Sequence, residues 1–376
     1  MNTIQMYDPK REYITNKKII DSGIQDVLNH GLFINGPEVK ELEKQLSNFV
    51  GVKHCIGVSN GTDALKLALL ALDMDNGDEV ITVAHSWIST AEVIPLVGAK
   101  PVFVDIESDT FNINPSKIEE KITPKTKAII VVSLYGYIPD LDIINEIAQR
   151  HNIPVIEDGA QSFGATYKNK RSCSMTTIGT TSFFPSKPLG CYGDGGACFT
   201  NNDELAVKLR AIKNHGGIKR FHHKYIGLNA RLDTLQASIL LKKFEYFENT
   251  IKQRNRCADY YTKNLLFLKK KNFILPHIKQ DYTSVWAQYS ILTNNKTERD
   301  NIVKYLKDNK VIVAIFYPAP LHKQECFQKY IGITELPITD SVSERIFNLP
   351  CYGEFTQKEQ DYVINILRKY VEKEQI

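Results

Sequence analysis

The sequence predicts an α/β protein: a large, mostly parallel sheet covered by helices, followed by a smaller C-terminal α+β domain. Three observations carry this. Seven short runs rich in Val, Ile and Phe, bounded by Gly, Pro, Asn or Asp, fall between residues 54 and 200. Helical patterns sit between several of them, and strands alternating with helices mark a parallel sheet buried on both faces. The chain has 376 residues, more than one ordinary domain uses, and the order of elements changes after about residue 255.

Taken in order, the predicted strands are His54–Ser59, Glu79–Val83, Pro101–Ile106, Ala128–Leu134, Pro154–Glu157, Thr180–Phe184 and Ala197–Thr200. Thr62–Leu72 and Asp142–Arg150 repeat apolar residues at helical spacing. From Asp233 to about Asn264 no Pro or Gly interrupts one long helical pattern, which bridges to the second domain. A strand at Val285–Leu292, a helix at Arg299–Asp308, a strand at Val311–Phe316 and a helix from Gln357 complete the chain. The expected division is 1–255 for the large domain and 256–376 for the small one, with the N-terminal segment able to pack against the latter.

Composition narrows the function classes. Lys+Arg number 47 and Asp+Glu 43, a net charge of +4 that gives no reason to expect nucleic-acid binding. No apolar run approaches the roughly 18 residues of a membrane helix, and Met1–Lys10 is too polar for a secretion signal. The seven cysteines (55, 173, 191, 198, 257, 326, 351) are scattered without a C-x-x-C pair, so neither a disulfide framework nor a metal site is expected. The expectation is a cytoplasmic enzyme.

Four motifs follow predicted strands, where ligands of open α/β sheets bind. Ser59-Asn60-Gly61-Thr62-Asp63 places small residues before a helix N-terminus, a cradle for phosphate or else an ordinary N-cap. It lacks the spacing of a P-loop and of a dinucleotide turn. Ala84–Thr90 carries Trp87, either an aromatic that stacks on a planar group or a core residue. Val155–Ser162 ends a strand in Glu157 and Asp158, which point to opposite sides. One of them can face a pocket and keep a heterocyclic nitrogen protonated, or simply cap a turn. Thr181–Gly190 holds Lys187 between Pro185 and Pro188, near Phe183 and Phe184. Prolines restrict that backbone, and desolvation makes a lysine amine a Schiff-base nucleophile. Taken singly, each motif has an ordinary structural explanation. Together they supply what pyridoxal 5′-phosphate requires.

At this point the sequence resembles the DegT/DnrJ/EryC1/StrS family of pyridoxal-phosphate-dependent nucleotide-sugar aminotransferases. The matching segments are Gly36–Val39, Ser59–Leu65, Ile156–Gly164, Ser182–Gly196, Asn229–Asp233 and Tyr317-Pro318. The runs Ser182–Gly196 and Leu228–Ala237 look most like the WbpE-type branch, which aminates C3 of UDP-linked 3-keto-N-acetylhexuronic acids. The resemblance implies a fold-type I aspartate-aminotransferase architecture and a homodimer with shared sites. It implies that Lys187 binds the cofactor covalently and moves protons, and that Asp158 faces the pyridine nitrogen. Trp87 then stacks on the ring, Gln161 approaches its hydroxyl, and Gly61, Thr62 and Ser182 hold the phosphate. Asn229 reaches the phosphate from the other subunit. Arg231, Tyr317 and His322 line the sugar-nucleotide side, and Lys219–His223 belongs to a closing loop. L-glutamate is the implied amino donor and 2-oxoglutarate its product.

Two positions refine the resemblance. Many relatives have His before the Tyr-Pro pair, where this chain has Phe316, close to the expected sugar site. Related sugar dehydratases replace the lysine by histidine, so Lys187 favours transamination. The alternatives are C3 or C4 amination of dTDP-keto-6-deoxy sugars, a regulatory or sugar-binding protein that keeps the fold without turnover, and a nicotinamide oxidoreductase. The missing G-x-G-x-x-G argues against the last.

Overall fold

All seven apolar runs form strands of one sheet in the computed structural model, which describes residues 3–373. They are β1 (His54–Val58), β2 (Glu79–Val83), β3 (Lys100–Val104), β4 (Thr126–Val132), β5 (Val155–Asp158), β6 (Ile178–Ser182) and β7 (Gly196–Thr200). Their spatial order is β1-β7-β6-β5-β4-β2-β3. Only β7 runs antiparallel to its neighbours; the other pairs are parallel. Ala128 to Val131 in β4 have no solvent exposure. Burial on both faces is why these strands read as continuous apolar runs rather than alternations.

Helices α3 (Gly61–Ala71), α4 (Ser89–Leu96), α5 (Leu141–Arg150) and α6 (Asp203–Ile212) connect and cover the strands. Two further helices, α1 (Pro9–His30) and α2 (Pro37–Val50), precede the sheet and both pack on α7 (Thr234–Phe244). Buried Lys243 of α7 donates to Glu12 of α1 at 2.7 Å, so the helices are tied by an ion pair shielded from water.

The structure corrects three expected elements. The pattern from Asp233 to Asn264 is two helices, α7 and α8 (Phe247–Asn264), broken at Glu245–Tyr246. The break turns the Tyr246 hydroxyl onto Glu12 at 3.3 Å. The strand Val285–Leu292 shortens to β8 (Tyr289–Leu292), because Trp286 adopts φ +48°. Val311–Phe316 makes isolated bridges only, Val311 to Ile4 and Ala314 to Asn348.

The smaller core gathers Tyr261, Leu265, Tyr289, Ile291, Ile302, Phe347 and Leu367, together with Ile4 from the N-terminal segment. It is built on the antiparallel pair β8 and β9 (Ile346–Leu349), with α9 (Lys296–Asp308), α10 (Pro337–Arg345) and α11 (Gln357–Lys373) around it. The expected boundary at 255/256 falls inside α8, whose Phe247 packs with large-domain aromatics while Cys257 and Tyr261 enter the small core. Asp105, just past β3, accepts from the Ile338 and Thr339 N–H groups at 3.0 and 2.8 Å. A carboxylate at the end of a sheet strand thus caps α10 at its positive end. Among the described residues no helix is long and apolar enough to cross a membrane.

Candidate active site

Strand register brings the four motifs together. Ser182 at the end of β6 sits opposite Gly196, and Gly196 sits opposite Val58 at the end of β1. Asp158 at the end of β5 lies between Val132 and Thr180. The segments that leave these strand ends enclose a pocket of about 340 Å³. Its lining includes Gly61, Thr62, Trp87, Asp158, Gln161, Ser182, Lys187 and Tyr317.

The cradle side is built by close approach. A Cβ on Gly61 would stand 2.6 Å from Ser182 Cβ, nearer than side-chain carbons tolerate. Only glycine lets the N-terminus of α3 reach the end of β6. Asn60 caps that helix by accepting from the Asp63 N–H at 2.7 Å. The Thr62 and Ser89 hydroxyls lie 2.7 Å apart beside it. Hydroxyls and a positive helix end fit a phosphate group.

Asp158 is buried. Its carboxylate accepts from the Thr90 hydroxyl at 2.8 Å and from the Ala160 N–H at 3.2 Å. Burial raises its pKa, opposed by the Thr90 hydroxyl, the Lys187 charge and the Ala160 N–H. Burial lowers the pKa of Lys187, opposed by the Asp158 charge. A lysine pushed toward its neutral form is a better nucleophile. Glu157 faces away, as alternation requires, and meets a partner rather than solvent. It accepts from the Ser133 and Ser172 hydroxyls at 2.7 and 2.6 Å and from the Cys173 N–H at 2.7 Å.

Trp87 is 60% exposed at the pocket, which excludes the core reading. Its ring centroid lies 6.3 Å from that of Tyr317. The Tyr317 hydroxyl accepts from Gln161 Nε2 at 3.0 Å.

Three expected site residues do not line this pocket. Asn229 is exposed and bridged to Asn214. Arg231 donates to the Asn214 side chain at 2.8 Å. Arg231 is half-buried and bridged to Val58 at the end of β1. His322 is buried beside Asp340, 3.3 Å away, between the α10 N-terminus and the loop that precedes it. Burial lowers its pKa, opposed by Asp340. It is not among the residues that line the pocket. The Lys219–His223 segment is a short exposed hairpin with Phe221 outermost at 86% exposure. Sequence reading missed Thr90, which lay in a quoted motif but carried no signal of reaching Asp158. It also missed Gln288 and Asp194 in the lining.

A lysine amine and a buried acid in one pocket, with a phosphate-type cradle beside them, fit the class of pyridoxal-phosphate-dependent aminotransferases. The comparisons give the family. Residues 15–368 match the DegT/DnrJ/EryC1/StrS aminotransferase family, and the chain belongs to it. A Pseudomonas aeruginosa protein named UDP-2-acetamido-2-deoxy-3-oxo-D-glucuronate aminotransferase is 50% identical over 349 residues, covering 93% of this chain and 95% of that one. A Geobacillus stearothermophilus protein named pleiotropic regulatory protein is 39% identical and covers 98% of each chain. The structure of NtdA from Bacillus subtilis with bound PMP cofactor superposes with a TM-score of 0.93 at 34% identity, covering 99% of this chain and 86% of that one. The cofactor of the family is pyridoxal 5′-phosphate, and the Gly61 approach, Lys187 and Asp158 fit it.

Proposed function

We propose that this chain moves the amino group of L-glutamate to C3 of a UDP-linked 3-keto-N-acetylhexosamine or its uronic acid, for surface polysaccharide synthesis. The observation that carries amino transfer is Lys187 facing buried Asp158 in one pocket. The UDP and C3 assignment is supported by the 50% identity to the Pseudomonas aeruginosa enzyme. When bound, the cofactor supplies a sink for the electron pair released from the amino-acid Cα–H bond. Asp158 holds the proton on the ring nitrogen, and Thr90 and Ala160 hold Asp158 in place. Lys187 would hold the cofactor through its amine, and that amine would carry the proton from the amino-acid Cα as general base and return it as acid. Among the lining residues only Lys187 has an amine for both tasks. The α3 N-terminus with Thr62 and Ser182 anchors the phosphate. Trp87 would stack on the cofactor ring, and Tyr317, in ring contact with Trp87 and bonded to Gln161, lines the same pocket.

Asn229 and Arg231 complete the site of a second copy, which accounts for their absence from their own pocket. The regulatory reading retains one support, the named Geobacillus relative, whereas Lys187 and the buried Asp158 in one pocket support turnover. Incubation with glutamate and a panel of UDP- and dTDP-linked 3- and 4-keto sugars, read by mass spectrometry, tests the reading. An amine on the UDP-3-keto sugar alone is expected. Amination confined to dTDP sugars would transfer the assignment to the alternative, and no amination across the panel would favour the regulator.

A further inference from the structure

Tyr135 lies outside the pocket lining, buried behind it in the turn after β4. Its φ is +56°, a left-handed conformation that aromatic residues seldom adopt. That turn aims two donors of one residue in two directions. The Tyr135 backbone N–H donates to Gln161 Oε1 at 2.8 Å, and Gln161 Nε2 donates to Tyr317 Oη at 3.0 Å. The Tyr135 hydroxyl donates to the Phe316 carbonyl. Behind it, His85 Nε2 stands 2.9 Å from Tyr135 Oη, and His85 Nδ1 stands 3.2 Å from Ser343 Oγ.

The chemistry fixes every proton in this array. A backbone N–H only donates, so Gln161 must present its oxygen to Tyr135 and its NH₂ to Tyr317. The Tyr317 oxygen therefore accepts, and its own proton remains to be donated elsewhere. A carbonyl only accepts, so Tyr135 spends its proton on Phe316. His85 Nε2 must then carry hydrogen, and Nδ1 accepts from Ser343. Burial brings the His85 pKa down to about 3, which keeps this neutral tautomer through ordinary pH. Two hydrogen-bond chains thus leave Tyr135 in the large domain and end on the adjacent residues Phe316 and Tyr317.

We propose that Tyr135 is a positioning residue: by holding the Phe316 carbonyl its hydroxyl fixes the adjacent Tyr317, whose own hydroxyl, already accepting from Gln161, keeps its proton free to donate within the pocket that Lys187 lines, toward an acceptor oxygen of the bound cofactor or of the keto sugar. Tyr317 touches the ligand and Tyr135 acts through it. The inference rests on the amino-transfer reading above.

A double-mutant cycle on the full-length enzyme tests it. Tyr135→Phe keeps the ring and the backbone N–H and removes only the hydroxyl; Tyr317→Phe removes the aimed donor. Each is measured for cofactor Kd by absorbance titration of apoprotein, for sugar KM and kcat, and for Tm. Both single variants are expected to move the same parameter, by about five- to tenfold, the worth of one lost hydrogen bond. The double variant is expected to match Tyr317→Phe alone. A raised cofactor Kd in both places the acceptor on the cofactor, and a raised sugar KM with unchanged cofactor Kd places it on the sugar. Losses that combine in full, or a Tyr135→Phe enzyme equal to wild type in Kd, KM and kcat, would overturn the proposal. If Tyr135→Phe does not fold, Tyr317→Phe decides alone: a raised Kd or KM at unchanged Tm supports the proposal, and equality with wild type in Kd, KM and kcat overturns it. Wild-type protein that neither binds pyridoxal phosphate nor transfers an amine would sink the amino-transfer reading. Active wild type with additive variants sinks only the role of Tyr135.

Discussion

Lys187 and Asp158 are shifted in opposite directions by the same cause, burial, and each limits the shift of the other through its charge. Lys187→Ala removes both the covalent attachment and the proton carrier. Its kcat is expected to fall by about 10³-fold or more, measured as 2-oxoglutarate release. Asp158→Asn keeps the size and loses the charge that protonates the ring nitrogen, so a loss of about 100-fold is expected. His85 gives a pH prediction of definite sign. Its pKa falls from an ordinary 6.5 to about 3 on burial, so between those values the unfolded chain binds a proton that the folded chain refuses. Stability from this group is fully present above about 6.5 and is lost as pH drops, by about 1.4 kcal/mol per unit. Denaturant unfolding of His85→Gln across this window should show a shallower slope than wild type. Equal slopes would mean that His85 is protonated in the fold.

The helix α3 and strand β6 meet through one missing side chain. Gly61→Ala puts a methyl 2.6 Å from Ser182 Cβ, so the helix N-terminus must withdraw. A stability loss of about 1–3 kcal/mol is expected, together with weaker cofactor binding in an absorbance titration. Unchanged cofactor affinity would remove the cradle from Gly61. Elements of this kind were legible because local chemistry dictates them. The seven strands are short apolar runs that a doubly covered sheet demands, and Lys187, Asp158 and Trp87 stand at their ends. Other elements were hidden because tertiary partners decide them. The helix α1 buries only Glu12, Ile20, Gly23 and Val27, too few apolar positions for a clear helical face. The break at Tyr246 has no Pro or Gly to mark it, and the Tyr246 hydroxyl there meets Glu12, more than 230 residues away. Thr90, Tyr135 and His85 matter through hydrogen bonds to distant partners, which spacing along the chain does not reveal.

At the scale of the whole molecule, the two cores are joined where function needs them. Asp105 caps α10, Ala84 accepts from the Leu321 N–H at 2.8 Å, and Tyr135 holds Phe316, so the stretch 316–339 is fastened at the carboxyl ends of the strands. The proposed shared site makes a prediction about assembly. A chain carrying Asn229→Ala and Arg231→Ala, mixed and refolded with Lys187→Ala, should recover about a quarter of wild-type activity, since half of the pairs then hold one intact site in two. No recovery would mean that each chain builds its site alone. The small net charge of +4 is compatible with an anionic nucleotide because local donors meet it, and no basic surface is required. The most direct test of the central claim follows the nitrogen itself. Glutamate labelled at its amino nitrogen is incubated with the enzyme and UDP-2-acetamido-2-deoxy-3-oxo-glucuronate, and the sugar is analysed by mass spectrometry. The label should appear at C3 of the sugar with wild type and be absent with Lys187→Ala. An unlabelled sugar with cofactor-loaded wild type, or label transferred equally by Lys187→Ala, would contradict the account.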